Sequence, residues 1–256
     1  MSETAAQTVS VADKSAVVIG GTSGIGRAIA LAFADDGADV VATSRDEDAV
    51  EEAAAELRER GAETTAVTCD VRDMDSIERL YEEASAALGD IDVLVNSAGS
   101  VGRGSVTELS MDDWELDIDT NLTGVFRACK VFGREMEAGS IVNISSMSAG
   151  QAREERPAYC AAKSGVNGLT RAAAADLGPE IRVNAIEPGF VVTPLAGDAF
   201  EEGTDLRAQI DDRTPMERVA APEEIAGAAV YLASDAASFT TGEMITVDGG
   251  YDDSSL

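Results

Sequence analysis

Short runs of β-branched and other apolar residues alternate along this chain with longer stretches in which apolar positions return at helical spacing. The short runs, at 16–19, 40–43, 65–68, 93–95, 141–144, 183–186 and 244–247, predict seven strands, and the stretches between them predict helices. The plainest helix spans 46–60: Val50, Ala53, Ala54 and Leu57 share one face, acids and arginines cover the rest, and Gly61 stops it. Repeated β-α units of this kind predict an α/β fold, a doubly wound seven-stranded parallel sheet with helices on both faces. No repeat or low-complexity block interrupts the pattern, so one domain over 14–256 is expected behind a polar N-terminal tail at 1–13. The alternation breaks at 194–215, which is polar and mixed and carries Gly197, Gly203 and many acids. A loop of that length is either disordered or functional, and its place directly after a strand end, where ligands bind in such sheets, favours a substrate lid.

Composition narrows the chemistry. With 256 residues, 45% of them apolar, the chain can close one substantial core. No apolar stretch is long enough to span a bilayer and the first residues lack a basic-plus-apolar signal, so a cytoplasmic protein is expected. Cys69, Cys129 and Cys160 cannot all pair within the chain and form no C-x-x-C. Histidine is absent, which removes Ser-His-Asp and Cys-His nucleophile systems and imidazole metal sites, and no metal is expected. Acid-base chemistry is left to Tyr, Lys, Asp, Glu or Cys.

The net charge of −29 argues against nucleic acid or an anionic membrane as partner, leaving a small molecule as the expected substrate. The acids are spread along the chain, and lysine is nearly absent, with Lys14, Lys130 and Lys163 the whole set. This composition resembles that of proteins adapted to high intracellular salt, haloarchaeal proteins among them, where screening offsets self-repulsion. An ordinary acidic protein is the plainer alternative.

Directly after the first expected strand comes Gly20-Gly21-Thr22-Ser23-Gly24-Ile25-Gly26, followed by a helical run. Glycines at 20, 24 and 26 permit a tight turn and a close approach of backbone to a pyrophosphate, whose charge a helix N-terminus favours. The spacing differs from both G-x-G-x-x-G and the P-loop, and only its place after a strand gives it weight. The second strand ends at Thr43-Ser44-Arg45, where dinucleotide folds read the adenosine ribose. Ser44 and Arg45 offer a donor and a fixed cation, which favours NADP(H) over NAD(H), although Asp46 and Glu47 follow and a solvated arginine at a helix start would look the same. After the third strand stands Asp70-Val71, with Asp70 a candidate acceptor for the adenine amino group; after the fourth stands Asn96-Ser97-Ala98-Gly99, with Asn96 placed to tie strand ends together.

Ser145-Ser146 follows the fifth strand, and beyond it Pro157 is placed to open a helix that sets Tyr159 and Lys163 one turn apart on one face. A lysine ammonium beside the phenol would lower its pKa, letting Tyr159 exchange a proton as hydride moves, while Ser146 donates to the substrate oxygen. Alone, Tyr-x-x-x-Lys is also what a packed tyrosine under a surface lysine gives. Lys163, however, lies in an almost uncharged run from 158 to 170, which suits a buried cation.

In these motifs, together with Asn121, Pro188-Gly189 and Val247-Asp248-Gly249-Gly250, the chain resembles the short-chain dehydrogenase/reductase family in its short, single-domain form, from about residue 14 to 251. The resemblance implies a Rossmann-type sheet ordered 3-2-1-4-5-6-7, a homotetramer and a catalytic tetrad of Asn121, Ser146, Tyr159 and Lys163, with Asn121 positioning a water. It implies that Lys163 also holds the nicotinamide ribose, that Val191 and Thr193 meet the carboxamide end, and that Thr22, Ser23, Ile25, Val71, Asn96, Ala98, Gly99, Pro188 and Gly189 join the cofactor site. Ile19 and Ser97 depart from the family pattern, which has threonine and asparagine there. The resemblance further implies an NADP(H)-dependent oxidoreductase of sugars, sugar acids or polyols, with reduction of 3-oxoacyl thioesters as the alternative reaction and a non-catalytic NADP-binding regulator as the alternative of another class.

Overall fold

The computed structural model describes residues 8–252. It contains a parallel sheet of six strands in the order β2-β1-β3-β4-β5-β6, formed by β1 (Ser15–Ile19), β2 (Asp39–Thr43), β3 (Val93–Asn96), β4 (Gly139–Ile144), β5 (Ile181–Pro188) and β6 (Met244–Val247). Period-two alternation distributes each strand between two cores. In β1, Ala16 and Val18 face α1 (Gly24–Asp35), α2 (Glu47–Glu59) and α8 (Glu223–Ala233). Val17 and Ile19 face α3 (Met74–Leu88), α5 (Gly124–Glu135) and α6 (Pro157–Leu177). The strand interiors are therefore mostly apolar on both sides, as a parallel sheet between helix layers demands, with Ser140, Asn143 and Asn184 as buried polar exceptions and β6 partly exposed at the edge.

Six strands, not the expected seven, are formed. The segment at 65–68 does lie outside β2, at the sheet edge, and Val67 and Cys69 are buried against the second helix layer. Its ties to β2 are irregular. Val40 N donates to Glu63 O at 3.1 Å and Cys69 N to Ser44 O at 2.8 Å, but between them the Thr43 hydroxyl, not a backbone amide, donates to Val67 O at 2.5 Å. Asp39 likewise takes the Glu63 amide with its side chain, at 2.7 Å. Side chains thus take over bonds that a backbone ladder would make. The order of the other six strands is the expected one.

Local signals explain the helices. In α2 the buried residues are Val50, Ala53, Ala54 and Leu57, and Asp46 caps the N-terminus by accepting from Ala49 N. Pro157 opens α6, whose missing amide costs nothing at a first helical position. The region 194–215 is not a continuous loop: it forms short 3-10 turns on either side of a kink at Gly197 (Pro194–Phe200) and α7 (Asp205–Arg213). Only Leu206 and Ile210 mark an apolar face there, so periodicity hid the helix, while Thr204 caps it by accepting from Arg207 N at 3.1 Å. At the other end of the chain, residues 1–7 of the polar segment lie outside the described residues. Ser10 Oγ and Val11 N both donate to Asp36, and Val11 is fully buried. No described helix is long and apolar enough to cross a membrane.

Candidate active site

The carboxyl ends of β1 to β5 open on one cleft of about 670 Å³, the position expected for a ligand in a sheet of this kind. At its first end, Gly20 and Gly21 amides both donate to Thr43 O, at 2.8 and 3.0 Å, bending the chain sharply out of β1. Gly20 has φ of +78°, and a Cβ there would stand 2.5 Å from Ala98 N. A Cβ on Gly26 would run into the Gly20 carbonyl oxygen. Gly26 therefore allows helix and turn to close on each other and, contrary to expectation, does not itself line the cleft, whereas Gly20, Thr22, Ser23, Gly24 and Ile25 do.

The start of α1 differs from those of the next three helices. α2, α3 and α4 (Met111–Ile118) are capped by the side chains of Asp46, Asp73 and Ser110 and carry acids in their first turns. At α1, Ser23 makes no side-chain cap and the first turn has no acid. Amide donors and the positive end of the helix dipole are thus left toward the cleft, which fits a pyrophosphate.

Beyond β2, Ser44 and Arg45 line the same end, as do Asp70 and Val71. Arg72, which the motifs did not single out, stands beside them. Its guanidinium forks onto Asp70, with Nη2 to Oδ2 at 2.6 Å and Nε to Oδ1 at 2.9 Å. This fork holds the Asp70 carboxyl down at about 2 against the contrary effect of burial. The signal available in sequence was an arginine two residues after the aspartate in one turn. Asn96 ties strands together as its place predicted, its amide donating to Asn143 Oδ1 at 2.9 Å between β3 and β4, but it does not line the cleft, which corrects its assignment to the cofactor site; Ala98 and Gly99 are the parts of that motif that line the cleft.

At the reacting end Asn121, Ser146, Tyr159 and Lys163 all line the cleft. Asn121 lies in a π-helical turn (Asp119–Thr123) between α4 and α5 and is fully buried. Such turns are frequent at functional sites. Its amide donates to Asp117 O and Ser100 O, both at 2.9 Å. Asp117, also fully buried, accepts from Ser100 Oγ at 2.8 Å and Gly102 N at 2.9 Å, so the loop after β3 is pinned to α4. Ser146 sits where β4 ends, its hydroxyl accepting from Ser148 N at 3.1 Å.

Lys163 is buried, with 4% of its surface exposed, and its Nζ donates to Ile144 O at 2.7 Å. Burial pulls its pKa down to about 8, partly offset by the Asp117 carboxylate. The ammonium lies 5.6 Å from the centroid of the Tyr159 ring. The expected lowering of the phenol by lysine does not appear. Burial raises the Tyr159 pKa, and the influences that offset it are a hydrogen bond with Ser146 and the positive charge of Arg156. Lys163 is not among those influences: its ammonium faces the ring at 5.6 Å from the centroid, and desolvation of the phenolate dominates.

Pro188 ends β5 and Gly189, Val191 and Thr193 follow it along the cleft wall, and Val191 pairs with Ala220 in an isolated parallel bridge. The far end is aromatic. Phe190 meets Phe200 and Tyr251 edge to face, with centroids 5.3 and 4.9 Å apart. The Arg153 guanidinium lies over Phe190 at 4.6 Å and that of Arg213 over Tyr251 at 4.4 Å. Leu206 and Ile210 of α7 complete this wall.

Residues 20–252 match the family model described as enoyl-(acyl carrier protein) reductase. The chain is 42% identical over 245 residues to D-threitol dehydrogenase of Mycolicibacterium smegmatis, covering 93% of this chain and 92% of that one. It is 37% identical over 247 residues to the NAD-dependent glycerol dehydrogenase of Listeria innocua, covering 94% of each. A solved structure from Beutenbergia cavernae, provisionally described as an NAD(P)-dependent gluconate 5-dehydrogenase with NADP bound at low occupancy, superposes with a TM-score of 0.89 at 40% identity over 95% of this chain and 98% of that one. The chain belongs to the short-chain dehydrogenase/reductase family, enzymes that use a nicotinamide cofactor to interconvert alcohol and carbonyl groups.

Proposed function

We infer that the protein is an NADP(H)-dependent oxidoreductase acting on a secondary alcohol or carbonyl of a small polar substrate, a sugar, sugar acid or polyol. The observation that carries this reading is the convergence of Ser146, Tyr159 and Lys163 at one end of a cleft whose other end offers uncapped helix amides and two arginines, Arg45 and Arg72. Arg45 favours a 2′-phosphate over a bare ribose hydroxyl, and Asp70, already neutralised by Arg72, would not repel it. Resemblance to a threitol dehydrogenase and to a gluconate dehydrogenase supports the substrate class.

When bound, a nicotinamide would supply or accept the hydride. Tyr159, kept neutral by burial, donates its proton to the nascent alkoxide when a carbonyl is reduced, and accepts the alcohol proton in the reverse direction. Ser146 donates to the reacting oxygen. Lys163, anchored on Ile144 O, turns its remaining protons toward the nicotinamide ribose. Asn121 holds the loop after β3 in place and positions a water in the proton path. The 194–215 segment acts as the lid over the substrate, and exposed Met111, Leu116 and Phe126 on α4 and α5 supply apolar surface for a homotetramer.

A panel of polyols, sugar acids, simple ketones and 3-oxoacyl thioesters, read by nicotinamide absorbance with NADP(H) and NAD(H), tests the reading. Turnover of a polyol or sugar acid with NADP(H), and a shift toward NAD(H) in Arg45→Asp, is the expected result. Preference for NAD(H) in the unaltered protein would overturn the cofactor assignment. Reduction of 3-oxoacyl thioesters is the second reading, favoured by the arginines at the far end, which could meet a pantetheine phosphate.

A further inference from the structure

The protein carries 48 acidic against 19 basic residues, yet its cleft reverses the balance. Among the lining residues the cations are Arg45, Arg72, Lys163, Arg153, Arg156 and Arg213, and the carboxylates are Asp70 and Glu154. Asp70 is neutralised by Arg72, and Glu154 is exposed. The cations at the substrate end are not equivalent. Arg153 and Arg213 rest on the faces of Phe190 and Tyr251. Arg156, three residues before Tyr159 and at the N-cap position of α6, is partly buried, and its guanidinium makes no hydrogen bond or ion pair among the described residues. Burial presses its pKa downward, and the like charges of Arg103 and Arg153 add to this, while Tyr159 and Cys160 act against it. A partly buried guanidinium facing like charges is costly unless a ligand supplies the missing anion.

Resting on the function inferred above and narrowing its substrate, the geometry points to Arg156 as the binding residue for a single carboxylate, so that the natural substrate is a hydroxy acid of the sugar-acid kind and not a neutral polyol. The guanidinium fork matches a carboxylate with two parallel hydrogen bonds. The position fits the chemistry: Arg156 lies on the turn entering the helix that carries Tyr159, so an acid held there presents a nearby hydroxyl or keto carbon to the phenol.

The test compares chain-matched pairs, gluconate with sorbitol and threonate with threitol, in the cofactor-loaded enzyme and in Arg156→Gln and Arg156→Lys, after melting curves establish that the variants fold. The unaltered enzyme is expected to favour the acid of each pair. Arg156→Gln is expected to lower the acid-to-polyol ratio of kcat/KM on the order of 30- to 100-fold, chiefly through KM, with partial recovery in Arg156→Lys. The ratio isolates the carboxylate, because any effect of Arg156 on the Tyr159 proton falls on both substrates alike. A ratio unchanged within roughly threefold, or a preference for the neutral polyol, would overturn the carboxylate site while leaving the polyol oxidoreductase intact. If neither member of either pair reacts, the functional reading fails, and calorimetric binding of gluconate to the NADP-loaded protein decides the site: binding lost in Arg156→Gln sustains it, and no binding to the unaltered protein overturns it.

Discussion

Lys163 meets two opposed demands. Its place beside Tyr159 requires a cation, and its burial penalises one. A lysine with pKa about 8 when folded and 10.5 when unfolded binds fewer protons folded than unfolded between those values. Stability from this site therefore rises as pH climbs from 8 to 10.5, and the penalty is fully present below 8. Lys163→Met is expected to raise stability at pH 7 by roughly 2 kcal/mol, after allowing for the lost bond to Ile144 O, while abolishing turnover and weakening NADP(H) binding. Chemical denaturation across that pH range would show the gain shrinking toward high pH; no gain at pH 7 would contradict the assignment. Tyr159 gives a second prediction. Because burial raises its pKa, the phenol is the proton-donating form over the neutral range. Alcohol oxidation is expected to accelerate with rising alkaline pH and carbonyl reduction to decline, and initial rates in both directions check this. The spacing Tyr159-x-x-x-Lys163 was readable along the chain; the direction of the phenol's shift was not, because it depends on how much water the folded cleft removes.

Elements set the next scale. The turn between β1 and α1 works because Gly26 lets the helix approach the Gly20 carbonyl closely. Gly26→Ala is expected to cost at least about 2 kcal/mol and to weaken cofactor binding on the order of tenfold or more, since backbone cannot yield as a flexible side chain would. Thermal melting and cofactor titration measure the two effects; an alanine variant that binds like the parent would show that the turn can relax. The glycine motif was evident in the residue order, but the division of labour was not: Gly20 and Gly24 line the cleft, and Gly26 serves packing. The edge segment at 65–68 and α7 show the same limit from opposite sides. Apolar β-branched residues predicted a strand where Thr43 and Asp39 side chains took the pairing bonds. At α7, a polar stretch formed a helix from a Thr204 cap and two apolar residues.

For the whole molecule, charge is partitioned. A net −29 covers the chain while cations gather in the cleft, so the field that repels anions at a distance gives way to one that holds them inside. Self-repulsion of such a surface weakens the fold at low ionic strength, and salt screens it. The melting temperature is expected to rise by several degrees between about 0.1 M and 2 M KCl, with cofactor affinity retained. A melting temperature that falls over this range would remove the case for salt adaptation.

The residue order by itself determined the doubly wound parallel sheet, the glycine turn and the Ser146, Tyr159 and Lys163 constellation, because these rest on local periodicity, helical spacing and position relative to strand ends. Only the tertiary structure decided that Arg72 neutralises Asp70, that Asn143 is the partner of Asn96 and the cleft excludes it, and that the Arg156 guanidinium stands without a partner near the reacting tyrosine. Each of those depends on which distant groups come within reach and how much solvent they lose, quantities that no spacing along the chain contains.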